Sequence, residues 1–448
     1  MARPPDRDAS ASFRGSRRLP RRAVRLAAAA GAASLLLAAC GGDDGGGGDS
    51  GGPVTLTWAN WATAEQTTRP AIEQVIADFE AEHPNIRIKS QAIAFSDIAQ
   101  QLVLRTQSGN PPDVAQLSGN DTISLAATGA LAPLDQFVDD ELRSRINPTD
   151  LENGTHEGEL IAFPWVDSPQ GFWYNKKLMA QAGLDPESPP QTIEDLNTAL
   201  AAIKQKFPES TPLALDTTNR AFGLTSNWAW MKTFGAEPFG DDGAQADSPE
   251  YTAYLEWMDS LAKNDYIVTG PLLGEFRPLA AQNEVAFMWD QNLLQGVIQD
   301  TNGMTDQEFY DTWGVTTLPA GPTGESYSVD LGHQLVMFGQ SEKKEAAWKF
   351  IEYLATSENA VLNYTLAEGA ALPPLSDPKG EVAEVMDTPV NNAYVENIMP
   401  TSTKPPYGQA FSSAYDPVMA NLQRVLTSDV SVDEVASATQ SQLESALE

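Results

Sequence analysis

Two rhythms of apolar residues alternate along this chain. Val54-Thr55-Leu56-Thr57-Trp58 opens the series as a short β-rich run. Ile72, Val75, Ile76 and Phe79 then recur at helical spacing, and His83-Pro84-Asn85 stops that helix. Ile86-Arg87-Ile88 reads as the next strand. Ile98, Leu102 and Arg105 share one face of a helix that Gly109 ends, and Pro112-Asp113-Val114-Ala115 begins a third strand. The alternation predicts an α/β fold built on a parallel sheet. Further on, Leu160-Ile161-Ala162-Phe163 reads as a strand broken by Pro164, and Phe172-Trp173-Tyr174 as another. Thr192 and Asp195 predict a capped helix running to about Lys206. From Ser341 the spacing predicts a helix with Ala347, Phe350, Ile351 and Leu354 inward, and from Tyr415 onward the chain reads as largely helical. There is no internal repeat.

The first residues do not fit this alternation. Eight arginines precede the small apolar stretch Leu26 to Ala39, and Leu37-Ala38-Ala39-Cys40 closes it with the only cysteine of the chain. A basic region, an apolar region and a small-residue cleavage site form a secretory signal. Its end resembles the lipobox of bacterial lipoproteins, which implies cleavage before Cys40 and lipidation of its thiol. The apolar stretch is shorter than the roughly 20 residues of a membrane span. Residues 1–39 are therefore expected as signal peptide, and 40–53, rich in Gly, Asp and Ser, as a flexible tether. The pairs Arg17-Arg18 and Arg21-Arg22 leave the export route open between the general and the twin-arginine pathways.

Charge narrows the ligand classes. The whole chain carries −33; residues 1–39 hold eight Arg and two Asp, so their removal takes it to −39. Such a surface repels phosphate backbones and anionic lipid heads, which argues against nucleic acid as a partner and against anionic solutes without a local basic pocket. A lipidated Cys40 leaves no thiol for disulfides, and about 400 residues suffice for two self-supporting domains. The three histidines and one cysteine form no zinc motif, and no metal or cofactor is expected.

Several stretches in order resemble the extracellular solute-binding proteins of the maltose-binding type (family 1), the capture subunits of ABC importers for sugars. They are Phe79-x4-Pro84-Asn85-Ile86, Gly109-x-Pro111-Pro112-Asp113-Val114, Gly129-x-Leu131-x-Pro133-Leu134-Asp135, and Gly158-x-Leu160-x4-Trp165 leading into Trp173-Tyr174-Asn175-Lys176-Lys177. Ala182-Gly183-Leu184, Pro190-x-Thr192-x-Glu194-Asp195-Leu196, Glu284 to Met288, Trp313-Gly314-Val315-Thr316-x-Leu318-Pro319 and Ala346-x2-Lys349-Phe350-Ile351-x2-Leu354 complete the set. The resemblance implies a two-lobe periplasmic-binding-protein-like fold of type II, each lobe a sheet flanked by helices, with the ligand cleft between the lobes. By that analogy residues 54–164 plus 316–372 form the first lobe and residues 165–315 plus 373–448 the second. The chain crosses near Phe163-Pro164, Val315-Thr316 and Leu372-Pro373. The implied protein is a monomer, anchored outside the cell membrane by its lipid, that hands solute to ABC permease subunits.

Sugar sites combine aromatic platforms with groups that exchange hydrogen bonds with hydroxyls. Asn60-Trp61 follows the first strand, and Asp167 follows the first crossing. Trp228 and Trp230 lie in Ser226-Asn227-Trp228-Ala229-Trp230, and Trp289-Asp290 ends a strand. The resemblance adds Asn120 and Asp121, at a position that binds sugar hydroxyls in relatives, and Tyr415, near a stacking aromatic. For each Trp a core role stands beside the ligand role. His333, in Gly332-His333, reads either as a ligand contact or as a core histidine bonded to a backbone carbonyl. Arg277 reads as half of a surface ion pair. Two other readings stay open. One is a binding protein for a polyamine, peptide or polyol. The other is a carbohydrate-active enzyme built on carboxylate pairs such as Asp113/Asp121 or Asp167/Asp290, set about 5–10 Å apart.

Overall fold

The computed structural model describes residues 52–367 and 371–448. The expected signal peptide, Cys40 and nearly all of the tether lie outside the described residues.

Two β-sheets organise the chain. The first holds β1 (Val54–Asn60), β2 (Ile86–Ala92), β3 (Val114–Ser118), β4 (Ala162–Val166) and, from far downstream, a strand at His333–Met337. The second holds β5 (Gln170–Asn175), β6 (Thr211–Ala214), β7 (Val285–Gln291) and β8 (Trp313–Thr316), so the His333–Met337 strand is β9. The first sheet runs β2-β1-β3-β9-β4 and the second β8-β5-β7-β6. Neither sheet is purely parallel, contrary to the expectation from alternation. β1 pairs parallel with β2 and β3, but β9 enters antiparallel between β3 and β4. Only β6 and β7 pair parallel in the second sheet.

Each sheet is covered on both faces, so its strands alternate between two cores. Leu56 and Trp58 face a core with Ile72, Val75, Phe79, Phe350 and Ile351, while Ala59 and Trp61 join Ile98 and Leu102. Phe172 and Phe287 face the Trp228 and Trp230 core, and Trp173 and Met288 face Phe276, Trp313 and Tyr394. Local chemistry sets the helix ends. Pro70 opens Arg69–Glu82, and Thr192 with Asp195 closes a reciprocal cap on Ile193–Lys206. Asn175 ends β5 and accepts the Leu178 N–H at 3.0 Å to start the next helix. The helix expected from Ser341 begins at Lys344 and runs to Thr356.

Pro164 does not break its strand. β4 continues to Val166 because it is the edge strand of its sheet, where a residue without an N–H is tolerated. The register shifts opposite it, between His333 and Gln334. Trp313–Thr316 lies along the edge of the second sheet.

Between the sheets, three passing segments hydrogen-bond to one another. Asp167 and Leu372 exchange both backbone bonds at 2.8 Å, and the Leu331 N–H donates to the Ser168 carbonyl at 3.1 Å. Gly332 is required there: a Cβ would lie 2.4 Å from the Val166 carbonyl oxygen and 3.2 Å from the Asp167 Cα.

Candidate solute-binding site

A cavity of about 580 Å³ opens where this crossing meets the ends of β3 and β4 and the start of β9. Gly119 and Ile123 line it after β3, Val166 and Asp167 after β4, and Gly332, His333 and Gln334 at the start of β9. Thr149, Asp150 and Asn153 of the Pro148–Asn153 helix form another wall, and the segment Ser402 to Tyr407 a third. A smaller hollow of about 380 Å³ shares Asp150, Asp167 and Asp330 and continues toward Leu372, Met386 and Met399. The cavity thus lies outside the carboxyl ends of parallel strands, where open α/β sheets bind ligands.

Three carboxylates meet on the wall common to both hollows. Asp150, Asp167 and Asp330 each place an oxygen within 4.8 Å of the other two. Asp330 is oriented by the backbone N–H groups of Ser168 at 2.7 Å and Gly332 at 3.0 Å, both donating to its Oδ1. Oδ2 of Asp150 and Oδ2 of Asp167 are buried and receive no hydrogen bond from any other residue, and the two carboxyls bond to each other. Burial, then the charge of Asp330, raises the Asp150 carboxyl to about 7. Burial raises Asp330 to about 6 against its backbone donors, and burial followed by the charges of Asp150 and Asp330 pushes Asp167 well above the usual range.

His333 is neutral. Gln116 Oε1 accepts from the backbone N–H groups of Trp61 and Ala62, so the Gln116 amide nitrogen donates to His333 Nδ1, at 3.1 Å. The ring proton therefore resides on Nε2. Burial holds the His333 pKa down at about 4. Its partner is a side-chain amide, not the backbone carbonyl considered from sequence. Trp61 packs edge-on against His333, with centroids 4.7 Å apart, and so supports the wall from behind.

Of the residues picked from the sequence, the cavity gathers Asp167 and His333. Asn60 is buried, with its side chain bonded to Ser90, Thr63 and the Trp58 carbonyl. Ser118 caps the following helix by accepting the Asp121 N–H and donates its hydroxyl to the Asp121 carboxylate at 2.8 Å, and Asn120 accepts the Gly408 N–H at 3.4 Å. Trp228, Trp230 and Trp289 are at most 1% exposed; Trp228 packs on Phe239, Trp230 on Trp257, and Trp289 donates to the Ser226 carbonyl. Asp290 is fully buried and gripped by Arg277 Nε and Nη2 at 2.8 and 2.9 Å, so that pair is internal and not on the surface. Asp113 sits at the other end of β3, held by Thr57, Ser341 and Lys343. Neither proposed carboxylate pair gathers in the cavity. Tyr415 packs against the second-sheet core; Tyr407, eight residues earlier, packs there too, touching Phe411 edge-on, and also lines the cavity.

Sequence reading passed over Asp150, Asp330, Gln334 and Tyr407. Asp150 carries one local sign, the helix start Asn147-Pro148, and Tyr407 another, the Pro405-Pro406-Tyr407-Gly408 turn. Asp330 and Gln334 carry none, because β9 reaches the site only by long-range pairing.

Comparison with known proteins agrees with this architecture. Residues 63–361 match the family model described as bacterial extracellular solute-binding protein. A Brucella abortus (strain 2308) protein named only as a binding protein is 26% identical over 354 residues, covering 76% of this chain and 80% of its own. An ABC transporter solute-binding protein of Thermotoga lettingae, solved with α-D-tagatose, superposes with a TM-score of 0.74 at 22% identity, covering 88% of this chain and 100% of that one. The cyclic α-maltosyl-1,6-maltose binding protein of Arthrobacter globiformis gives 0.74 at 22% identity, covering 88% and 99%. At these identities the structural likeness is one of fold, and that fold is mixed α/β with two lobes.

Proposed function

Because the chain belongs to the bacterial extracellular solute-binding protein family, we propose that it captures a mono- or oligosaccharide in the cavity beside the crossing segments. It then delivers that sugar to the permease of an ABC transporter, without chemical turnover. The observation that carries this reading is the lining itself. Tyr407 lines the cavity together with Asn153, Asp167, Gln334 and a neutral His333. An apolar ring suits a sugar face, and amides, carboxylates and imidazole suit its hydroxyls. The sugars named for the two solved neighbours support the same class. An anionic solute fits poorly: Lys404 is the one lysine or arginine of the lining, set against several carboxylates.

The lobes proposed are residues 54–164 with 316–372, and 165–315 with 373–448. Packing supports the two helical assignments, since Phe350 and Ile351 of Lys344–Thr356 join the first-sheet core and Phe411 and Leu422 of Gln409–Thr427 the second, whereas Leu318 and Val329 pack with the second core and favour a crossing nearer Asp330 than Thr316. Lipidation of Cys40 would hold the protein, as a monomer, on the outer face of the cell membrane. Tagatose, maltose and cyclic maltosides, with spermidine and a peptide mixture as controls, should be titrated against the purified protein by calorimetry and thermal shift. A sugar should raise the unfolding midpoint, because it binds only the folded state. If every sugar fails while spermidine or a peptide binds, the carbohydrate reading is wrong; turnover of an oligosaccharide would replace binding by catalysis.

A further inference from the structure

Asp150, Asp167 and Asp330 come from three segments: a short helix, the first crossing segment 17 residues on, and the second crossing segment far downstream. One oxygen from each lies within 4.8 Å of the others. No lysine or arginine pairs with any of them among the described residues, and Lys404, the nearest candidate on the lining, donates to Asn153 Oδ1 at 3.2 Å. Burying carboxylates together without a counter-charge is costly, because desolvation and mutual repulsion act in the same direction.

A second observation points to a missing partner. Asp167 is 3% exposed and Asp150 6%, and Oδ2 of each is buried. No other residue donates to these two carboxyls, which face each other and share a proton when no cation is present; a cation bound here would take that proton's place. On the same cavity Gln334, 7% exposed, keeps its Oε1 buried and unpaired. Buried acceptors of this kind are normally satisfied.

We propose that Asp150, Asp167 and Asp330 bind a divalent cation of the calcium class on the wall of the cavity. Calcium takes oxygen ligands at about 2.3–2.6 Å, so ligand atoms across one ion stand at most about 5 Å apart, which the triad already satisfies. An all-oxygen set selects calcium, magnesium or manganese over zinc or copper. Calcium accepts irregular geometry with six to eight ligands, whereas magnesium demands a near-ideal octahedron. Three carboxylates from separate segments suit the former, and the adjoining cavity has room for water, or for hydroxyls of a bound solute, to complete the shell. Asp330, fixed by two backbone donors, is a rigid ligand.

The test uses the full chain after treatment with a chelator, with no sugar present. Calcium chloride at up to ~10 mM exceeds the roughly 10⁻⁴–10⁻³ M dissociation constants of extracellular calcium modules. It should raise the unfolding midpoint by several degrees, and calorimetry should give one ion per chain. Asp167→Asn and Asp150→Asn keep the shape and remove charge; each should weaken calcium binding at least tenfold. Should one variant fail to fold, the other decides. Absence of any midpoint shift with calcium or magnesium overturns the site, as does an equal shift in both variants. A shift with spermidine but not with calcium also overturns it and assigns the acids to an organic ammonium group. Sugar titration is run separately with and without calcium, so failure of the ion site leaves the carbohydrate reading standing or falling by itself.

Discussion

His333 gives the cavity wall a pH response of its own. Its folded pKa is about 4, against about 6.5 for an exposed histidine. The unfolded chain therefore binds the proton first as pH falls, and the stability that His333 contributes is present above about 6.5 and lost progressively toward 4. One proton is worth at most about 1.4 kcal/mol per pH unit, and less for a ring partly open to the cavity. The raised carboxyls act with the opposite sign: Asp150, at about 7, adds stability at low pH that is lost as pH rises through that value. The histidine contribution is thus read as a difference. Denaturant titrations of wild type and His333→Gln between pH 7 and 4.5 should diverge as pH falls, with the variant changing less. Parallel curves would mean that His333 is not the source. A second residue-scale prediction separates core from wall. Trp228→Ala should cost about 3–5 kcal/mol of stability and leave solute affinity of the folded protein unchanged, because Trp228 is buried against Phe239. Tyr407→Ala should weaken sugar binding by the folded protein by about 1–2 kcal/mol, in addition to the stability lost where its ring packs on Phe411, and that loss of affinity is what sets it apart from Trp228. The tryptophans misled the sequence reading for a physical reason. A polar neighbour one position away on a buried helix can be a core residue too, as Asn227 is, donating to the carbonyls of Asp216 and Gly223.

Elements were legible wherever their signal was local. The amphipathic helix Arg69–Glu82, the capped helix Ile193–Lys206 and the strand before Asn175 all follow from spacing and end chemistry within a few residues. β9 did not, because its place between β3 and β4 depends on partners more than 150 residues upstream. Gly332, just before it, gives the element-scale prediction. An added methyl would meet the Val166 carbonyl at 2.4 Å, with backbone rather than a mobile side chain in the way. Gly332→Ala should therefore cost about 1–3 kcal/mol through overpacking and lower the thermal midpoint. An unchanged midpoint would mean that the crossing yields to a methyl without strain. The substitution should also weaken sugar binding, since it displaces Asp167 and His333 together.

At the scale of the whole molecule, two covered sheets and a crossing between them account for what the family motifs led us to expect, while the site they frame was mostly hidden. Only Asp167 and His333 of its wall were picked out beforehand, since a site assembled from chain ends of several strands has no signature in any single stretch. The paired amides of Asp167, Leu331 and Leu372 carry one more consequence, for motion in time. If the lobes rock about these segments, the ladder must flex without opening, so its protons should exchange with solvent slowly whether or not solute is present. The Ser402 to Tyr407 wall, whose one strand pairing among the described residues is the two-residue match with Ser328–Val329, should exchange fast when empty and slow when filled. Hydrogen–deuterium exchange followed by mass spectrometry would separate the two populations. Fast exchange at Leu372 in the empty protein would show that the crossing melts on each cycle, and capture would then be timed by its re-formation, not by diffusion of the sugar.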